Sequence, residues 1–129
     1  MAVDVLLFTG LAGYSHDTDF LTGEPIYETR GRTSGSYRLA TYLREECELD
    51  VEVIDFMFSW RKEELEEIIK SRVGANTKLC GVGGLFMIHA PVIQHAFAYI
   101  KENYPHVTTC AGSQDIWSIA QVQNIDYYV

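Results

Sequence analysis

The residues of this sequence that are best suited to ligand binding are small and lie at the ends of apolar runs. Gly83 and Gly84 come near the end of the run 79–86, and Leu85 follows them. Two adjacent glycines remove side chains where the backbone must turn, or where a flat molecule must come close. The chemistry they offer is binding through backbone amides, and we predict no catalytic residue in this chain. A tight turn that lets the next helix pack is an equally good reason for the two glycines.

Two other apolar runs end in turns of the same kind. Thr9 and Gly10 end the first run, and Gly112, Ser113 and Gln114 follow a later one. In a parallel sheet the carboxyl ends of the strands share one edge, and ligands bind in the crevice beyond it. We therefore expect the three turns to line one site, where Ser113 and Gln114 either bond to the ligand or serve only as turn residues.

The elements that must position these turns alternate along the chain. The sequence predicts five strands, over 3–8, 50–56, 79–86, 106–110 and 125–129. It predicts four helices between them, over 35–46, from a cap at Ser59 to Val73, over 91–103 and over 115–121. This alternation predicts an α/β fold, a flavodoxin-like (Rossmann-like) doubly wound five-stranded parallel sheet with the strand order 2-1-3-4-5. Its switch point lies between the first and third strands.

The first helix and the segment before it carry two further signals. Leu39, Tyr42 and Leu43 recur at three and four residues, which predicts an apolar stripe along this helix. The preceding segment 11–34 is irregular and rich in glycine, hydroxyls and carboxylates. A compact domain rarely keeps so long a loop unless it is functional or disordered. We expect the segment to take part in ligand binding, and a mobile lid is the alternative.

Composition and charge restrict the class of protein. A chain of 129 residues, 47% of them apolar, fits a single domain over 1–129. The net charge of −8 argues against nucleic acid as a partner, because a phosphate backbone requires clustered Lys and Arg. No apolar run approaches a membrane span and the first residues lack the basic flank of a signal peptide, so we expect a cytoplasmic protein. Cys47, Cys80 and Cys110 have neither metal-ligand nor redox-pair spacing.

The turn after the first strand disfavours several ligand classes. The stretch 9–13 lacks the G-x-G-x-x-G fingerprint and is not followed directly by a helix, so a dinucleotide is not expected, and no Walker loop is present. A flavin mononucleotide would need a hydroxyl-rich phosphate loop at this point, where Thr9 is the single hydroxyl. A neutral or amphipathic small molecule, or another protein, is easier to accommodate.

Five short motifs, in order along the chain, carry a family resemblance. They are Leu39–Glu45 (LATYLRE), Val51–Asp55 (VEVID), Cys80–Leu85 (CGVGGL), Ala111–Gln114 (AGSQ) and Asn124–Val129 (NIDYYV). In this order the chain resembles the amino-terminal cobalamin-binding domain of radical S-adenosylmethionine enzymes. The resemblance implies cobalamin (vitamin B12) as the cofactor. It also implies a catalytic radical S-adenosylmethionine domain, such as that of a methyltransferase, as the partner in a parent chain or in a separate protein.

The same resemblance implies which residues contact the cofactor. The glycine turns would pass beneath the corrin, and the segment 11–34 would approach its lower face. The implied cofactor-binding residues are Thr9, Gly10, Ser15, His16, Gly83, Gly84, Leu85, Gly112, Ser113 and Gln114.

Some motifs depart from the family. Domains that ligate cobalt through histidine carry D-x-H-x-x-G, of which only His16 is present, so His16 is either an axial ligand or a surface histidine. The family's S-x-L appears here as Gly83, Gly84 and Leu85 and so loses its hydroxyl. The C-x3-C-x2-C motif is absent, so we expect no iron–sulfur cluster and no catalysis by this chain alone. A degenerate, cofactor-free scaffold or interaction domain, with the aromatic end 127–128 facing a partner, fits these departures equally well.

Overall fold

A computed structural model describes residues 1–9, 34–55, 57, 60–83, 90–112 and 123–129. The elements are β1 (Val5–Thr9), α1 (Ser34–Cys47), β2 (Val51–Ile54), α2 (Lys62–Arg72), β3 (Leu79–Gly83), α3 (Ala90–Asn103), β4 (Thr108–Gly112) and β5 (Tyr127–Tyr128). The helix predicted over 115–121 lies outside the described residues. No helix within these ranges is long and apolar enough to cross a membrane.

The five strands form one parallel sheet in the order β2-β1-β3-β4-β5. This confirms the predicted α/β flavodoxin-like fold and its strand order. Because β1 leads to β2 on one side and β3 lies on its other side, the switch point falls between β1 and β3. The central strands consist of apolar and small residues because helices cover both faces of such a sheet.

Alternate residues of β1 face two separate apolar cores. Leu6 and Phe8 belong to the larger core beneath α2 and α3, and Val5 and Leu7 belong to the smaller core beneath α1. Among the described residues the larger core contains fifteen buried residues and the smaller core four. Burial therefore stabilises the α2 and α3 side of the sheet far more than the α1 side.

The helices α2 and α3 match their predicted apolar patterns. The buried members of the α3 stripe are Ile93, Ala96, Phe97 and Ile100. On α2, Leu65 and Ile69 are buried in the same core. The predicted cap of α2 at Ser59 was wrong, because Arg61 is the N-cap and its backbone N–H donates to the Glu64 carboxylate at 2.8 Å.

The predicted apolar stripe of α1 was largely wrong. Leu39 and Tyr42 are 45% and 59% exposed, whereas Ala40 is fully buried against the sheet. Polar contacts set this rotation of the helix. Tyr37 donates to the Asp55 carboxylate, and the Arg44 guanidinium donates to the Val51 carbonyl at 2.6 and 3.1 Å. Residues 37, 40 and 44 lie on one helical face, so residues 39 and 42 are turned away from the sheet.

A cluster of polar side chains holds β5 against β4. Lys101 donates from Nζ to Asp126 Oδ2 at 2.5 Å and to the Val107 carbonyl at 2.7 Å. The same Asp126 oxygen accepts the Thr109 backbone N–H at 2.9 Å. The Thr109 hydroxyl, which is buried, donates to the Asn124 carbonyl at 2.6 Å. Because β5 has only two residues, its attachment to β4 depends on side-chain hydrogen bonds as well as on the short run of backbone pairing.

Candidate functional site

Three strand ends lie side by side at the carboxyl edge of the sheet. Thr9 pairs with Gly83, and Gly83 pairs with Gly112. We call these three residues the strand-end rim. Since neighbouring strands lie about 4.8 Å apart, the strand-end rim is about 10 Å across, which is wide enough for one side of a large planar ligand.

The other predicted cofactor-binding residues lie outside the described part of the chain. Five of them follow the strand ends directly in sequence or one residue later, and two belong to the segment before α1. They are Gly10, Ser15, His16, Gly84, Leu85, Ser113 and Gln114. Their contribution to the site stays a prediction from sequence.

The two glycines of the strand-end rim have different surroundings. A Cβ atom on Gly83 would lie 3.3 Å from Ser36 Oγ, so a side chain at this position would crowd the first turn of α1. Among the described residues, the atoms nearest to a Cβ atom on Gly112 would be Cβ and the carbonyl oxygen of Val129, both at 3.8 Å, which is an ordinary contact distance. Packing of the described residues therefore accounts for glycine at 83 but does not require it at 112. Gly112 itself is half-buried.

Gly81, inside β3, was not singled out by the sequence. A Cβ atom there would lie 2.9 Å from Cys110 Sγ and 3.1 Å from Leu7 Cδ2. Glycine at this position therefore lets β4 and β1 side chains fill the space above β3. Burial raises the pKa of the Cys110 thiol and raises that of Cys80 to about 12. Both thiols are thus protonated at neutral pH and unsuited to nucleophilic or metal-binding roles.

A hydrogen-bonded carboxylate lies next to the strand-end rim. Asp55 follows β2 directly, and one of its oxygens accepts the Thr9 hydroxyl at 3.1 Å while the other accepts the Tyr37 hydroxyl. The indole N–H of Trp60 donates to the Asp55 carbonyl at 3.1 Å. Thr9 itself is only 1% exposed. The donor of the Thr9 hydroxyl is therefore used inside the protein, and Thr9 serves the strand-end rim through its backbone.

Sequence reasoning missed this role of Asp55 and of Tyr37. The sequence analysis named Asp55 only as the last residue of the VEVID motif, and it did not name Tyr37. The position of Asp55 at the end of the VEVID motif could have indicated its contact with Thr9. In a 2-1-3 strand order the end of β2 lies beside the end of β1. The partner Tyr37 comes from a helix, and no local pattern indicates that contact.

The described part of the site consists of backbone groups with one carboxylate, that of Asp55, at its side. The described residues contain no group of three or more His, Cys, Asp and Glu that could hold a metal ion. Because Gly83 and Gly112 carry no side chains, a flat molecule could approach the backbone of the strand-end rim closely.

The parallel sheet and its strand order define a flavodoxin-like α/β domain. No protein-family model matches the sequence, and no curated protein matches it. Among solved structures the chain is similar to a crystal structure of a cobalamin-binding protein from Desulfitobacterium hafniense DCB-2, with a TM-score of 0.57 and 10% identity. The match covers 96% of this chain and 51% of that chain, so this chain spans about half the length of the neighbour. At this identity the similarity shows the fold alone.

Proposed function

We propose that this chain is a cobalamin-binding module. The observation that carries the proposal is the strand-end rim, in which two of three adjacent strand ends are glycine and lie in register. The similarity to a cobalamin-binding protein and the five motifs in family order support it. When bound, cobalamin supplies a cobalt centre that carries an alkyl group.

The described residues fit a broad planar cofactor. Gly112 and Gly83 are paired on adjacent strands, so two neighbouring positions of the strand-end rim carry no side chain. Their backbone groups would lie beneath the corrin ring, and Thr9, at the end of the neighbouring strand β1, would border it. The remaining contacts would come from the turns that follow these strands, including Ser113 and Gln114.

We further propose that the module works with a radical S-adenosylmethionine catalytic domain. The family resemblance supports this partner, and it leaves the substrate and the reaction open. In such an assembly this chain would bind and orient the cofactor. The iron–sulfur chemistry would belong to the partner domain, for which a methyltransferase is one candidate.

Titration with hydroxocobalamin tests the proposed function. We expect a change in the visible absorbance spectrum at tens of micromolar cofactor, and retention of the colour through gel filtration. Gly112→Phe should weaken binding by about tenfold or more, because it would add a bulky side chain at the strand-end rim, where the proposal places the cofactor against the backbone.

Thr108→Phe is the matched control for this titration. Thr108 lies on the same strand and the same sheet face as Gly112, at the opposite end of β4. Both variants are compared by urea unfolding, so that loss of folding is separated from loss of binding. A wild-type protein that neither shifts the spectrum nor retains the cofactor would overturn the proposal.

A cofactor-free interaction domain is the second candidate function. The observation that favours it is the exposure of β5 and the residue after it, with Tyr127 65% and Val129 84% exposed. Exposed aromatic and aliphatic side chains on an edge strand are typical of surfaces that contact another domain. Absence of cofactor binding in the titration would favour this function.

A further inference from the structure

We propose that Ser36 supplies the hydrogen-bonding side chain of the cofactor site, in the space that a side chain on Gly83 would otherwise occupy. This inference rests on the proposed function and assigns a ligand contact to a residue outside the family motifs. It concerns the first turn of α1, which passes over the end of β3.

The position of the Ser36 hydroxyl is the first argument. Its Oγ atom lies 3.3 Å from the place where a Cβ atom of residue 83 would be. In the family that this chain resembles, the serine of the S-x-L pattern stands at the position of Gly83. A hydroxyl is therefore present at the end of β3, but it comes from α1. Glycine at 83 provides the space for it.

The Ser36 hydroxyl is also available to a ligand. Thr9 and Tyr37, the neighbouring hydroxyl side chains, both donate to Asp55. Across the described ranges, by contrast, no hydrogen bond involves the hydroxyl of Ser36, which is half-buried. A half-buried hydroxyl beside the strand-end rim can both donate to and accept from a ligand.

Neighbouring contacts hold Ser36 in place. The adjacent Tyr37 bonds to Asp55, which also accepts the Thr9 hydroxyl, so the first turn of α1 is tied to the ends of β1 and β2. Ala40, one turn further along α1, is fully buried against the sheet. Tyr37 and Asp55 are thus positioning residues, and they limit the freedom that Ser36 would lose on binding a ligand.

The ligand group that Ser36 would contact is a neutral hydrogen-bonding group of the cofactor. Cobalamin carries such groups as amides around the corrin and as ring nitrogen in its nucleotide tail. Cobinamide keeps the corrin amides and lacks the nucleotide. Binding of both compounds to the same variants therefore distinguishes the two sources.

Moving the hydroxyl between the two residues tests the inference. Ser36→Ala should weaken hydroxocobalamin binding by about tenfold, the effect of losing one hydrogen bond to a buried group. The double variant Ser36→Ala with Gly83→Ser should restore most of the affinity, because it returns a hydroxyl to the same space. If the nucleotide is the partner, Ser36→Ala should leave cobinamide binding unchanged, and if a corrin amide is the partner, cobinamide binding should fall by a similar factor.

Unfolding of the cofactor-free protein provides an independent readout. Gly83→Ser should lower the urea midpoint of the wild type, because its Cβ would crowd Ser36 Oγ. The same substitution in the Ser36→Ala background should lower it less, since the crowding atom is gone. Thr41→Ala is the control for these unfolding measurements, because the Thr41 hydroxyl donates to a backbone carbonyl on the exposed side of α1.

The outcomes separate this inference from the proposed function. If the wild type binds hydroxocobalamin and Ser36→Ala binds it equally well, Ser36 makes no contact and the inference alone fails. It also fails if the folded double variant binds no better than Ser36→Ala. If the wild type binds no corrinoid, both proposals fail together.

Discussion

Glu48, the residue after α1, has a left-handed backbone with φ of 56°. For residues with a Cβ atom this conformation costs about 1 kcal/mol, and glycine is the usual residue at this position after a helix. We predict that Glu48→Gly stabilises the protein by up to about 1 kcal/mol, measured as the free energy of unfolding in urea.

Glu46→Gly is the control for this prediction. It removes the same side chain and charge two residues earlier, inside α1. Glycine within a helix costs about 1 kcal/mol relative to a good helix former, so the two substitutions should have opposite signs. Equal destabilisation by both would contradict the argument from the Glu48 backbone.

Asp126 gives the stability of the β5 attachment a defined pH dependence. The hydrogen bond from Lys101 and then the Thr109 backbone N–H hold the pKa of this carboxyl below its ordinary value of 3.8. A carboxyl whose pKa is lower in the folded state stabilises the fold above its unfolded pKa. This contribution is lost as the pH falls through the lowered value. Asp126→Asn should therefore lose less stability between pH 7 and about pH 3 than the wild type does.

Asp4 also contributes to the acid sensitivity of the stability, and its contribution must be measured separately from that of Asp126. The Asp50 backbone N–H and the Lys78 side chain lower the pKa of Asp4 in the same direction. Asp4→Asn should therefore remove a different part of the acid sensitivity and leave the part due to Asp126. Unfolding in urea at the two pH values measures both variants, and an Asp126→Asn variant as acid-sensitive as the wild type would contradict the assignment.

At the scale of elements, α1 has the lightest apolar packing of the three described helices. We predict that Leu39→Ser changes the free energy of unfolding by less than about 0.5 kcal/mol, because Leu39 is turned to solvent. Leu43→Ser should cost about 1 to 2 kcal/mol, since Leu43 packs against the smaller core. Urea unfolding measures both, and a larger cost at Leu39 would mean that α1 is rotated the other way.

The elements themselves were largely predictable from the sequence. The α3 stripe was a good guide because its apolar residues repeat over three turns and are buried in the larger core. On α1 the apolar spacing was a poor guide. There, the Tyr37 hydroxyl donates to the Asp55 carboxylate and the Arg44 guanidinium donates twice to the Val51 carbonyl, and these three hydrogen bonds are consistent with the observed rotation of the helix.

At the scale of the whole molecule, topology explains which parts of the site could be foreseen. The alternation of strands and helices predicts a doubly wound parallel sheet, and the order β2-β1-β3-β4-β5 places Thr9, Gly83 and Gly112 side by side at one edge. Side-chain contacts between distant elements follow no such rule. Asp55 is 46 residues from Thr9 and 18 from Tyr37, and no pattern in the sequence connects them.

The two sides of the sheet serve different purposes. The larger core beneath α2 and α3 contains most of the described buried apolar residues and so supplies most of the stability. The α1 side carries the strand-end rim, its tied first turn and a smaller core.

The two outer strands of the sheet are short, with four residues in β2 and two in β5. A long, flat outer strand is a template to which a second copy can add its own backbone, and fibrils grow by repeated additions of this kind. A second copy that added a strand to this sheet would form few backbone hydrogen bonds at β2 and fewer at β5. The brevity of both strands therefore protects concentrated protein against growth into stacked, fibrous assemblies.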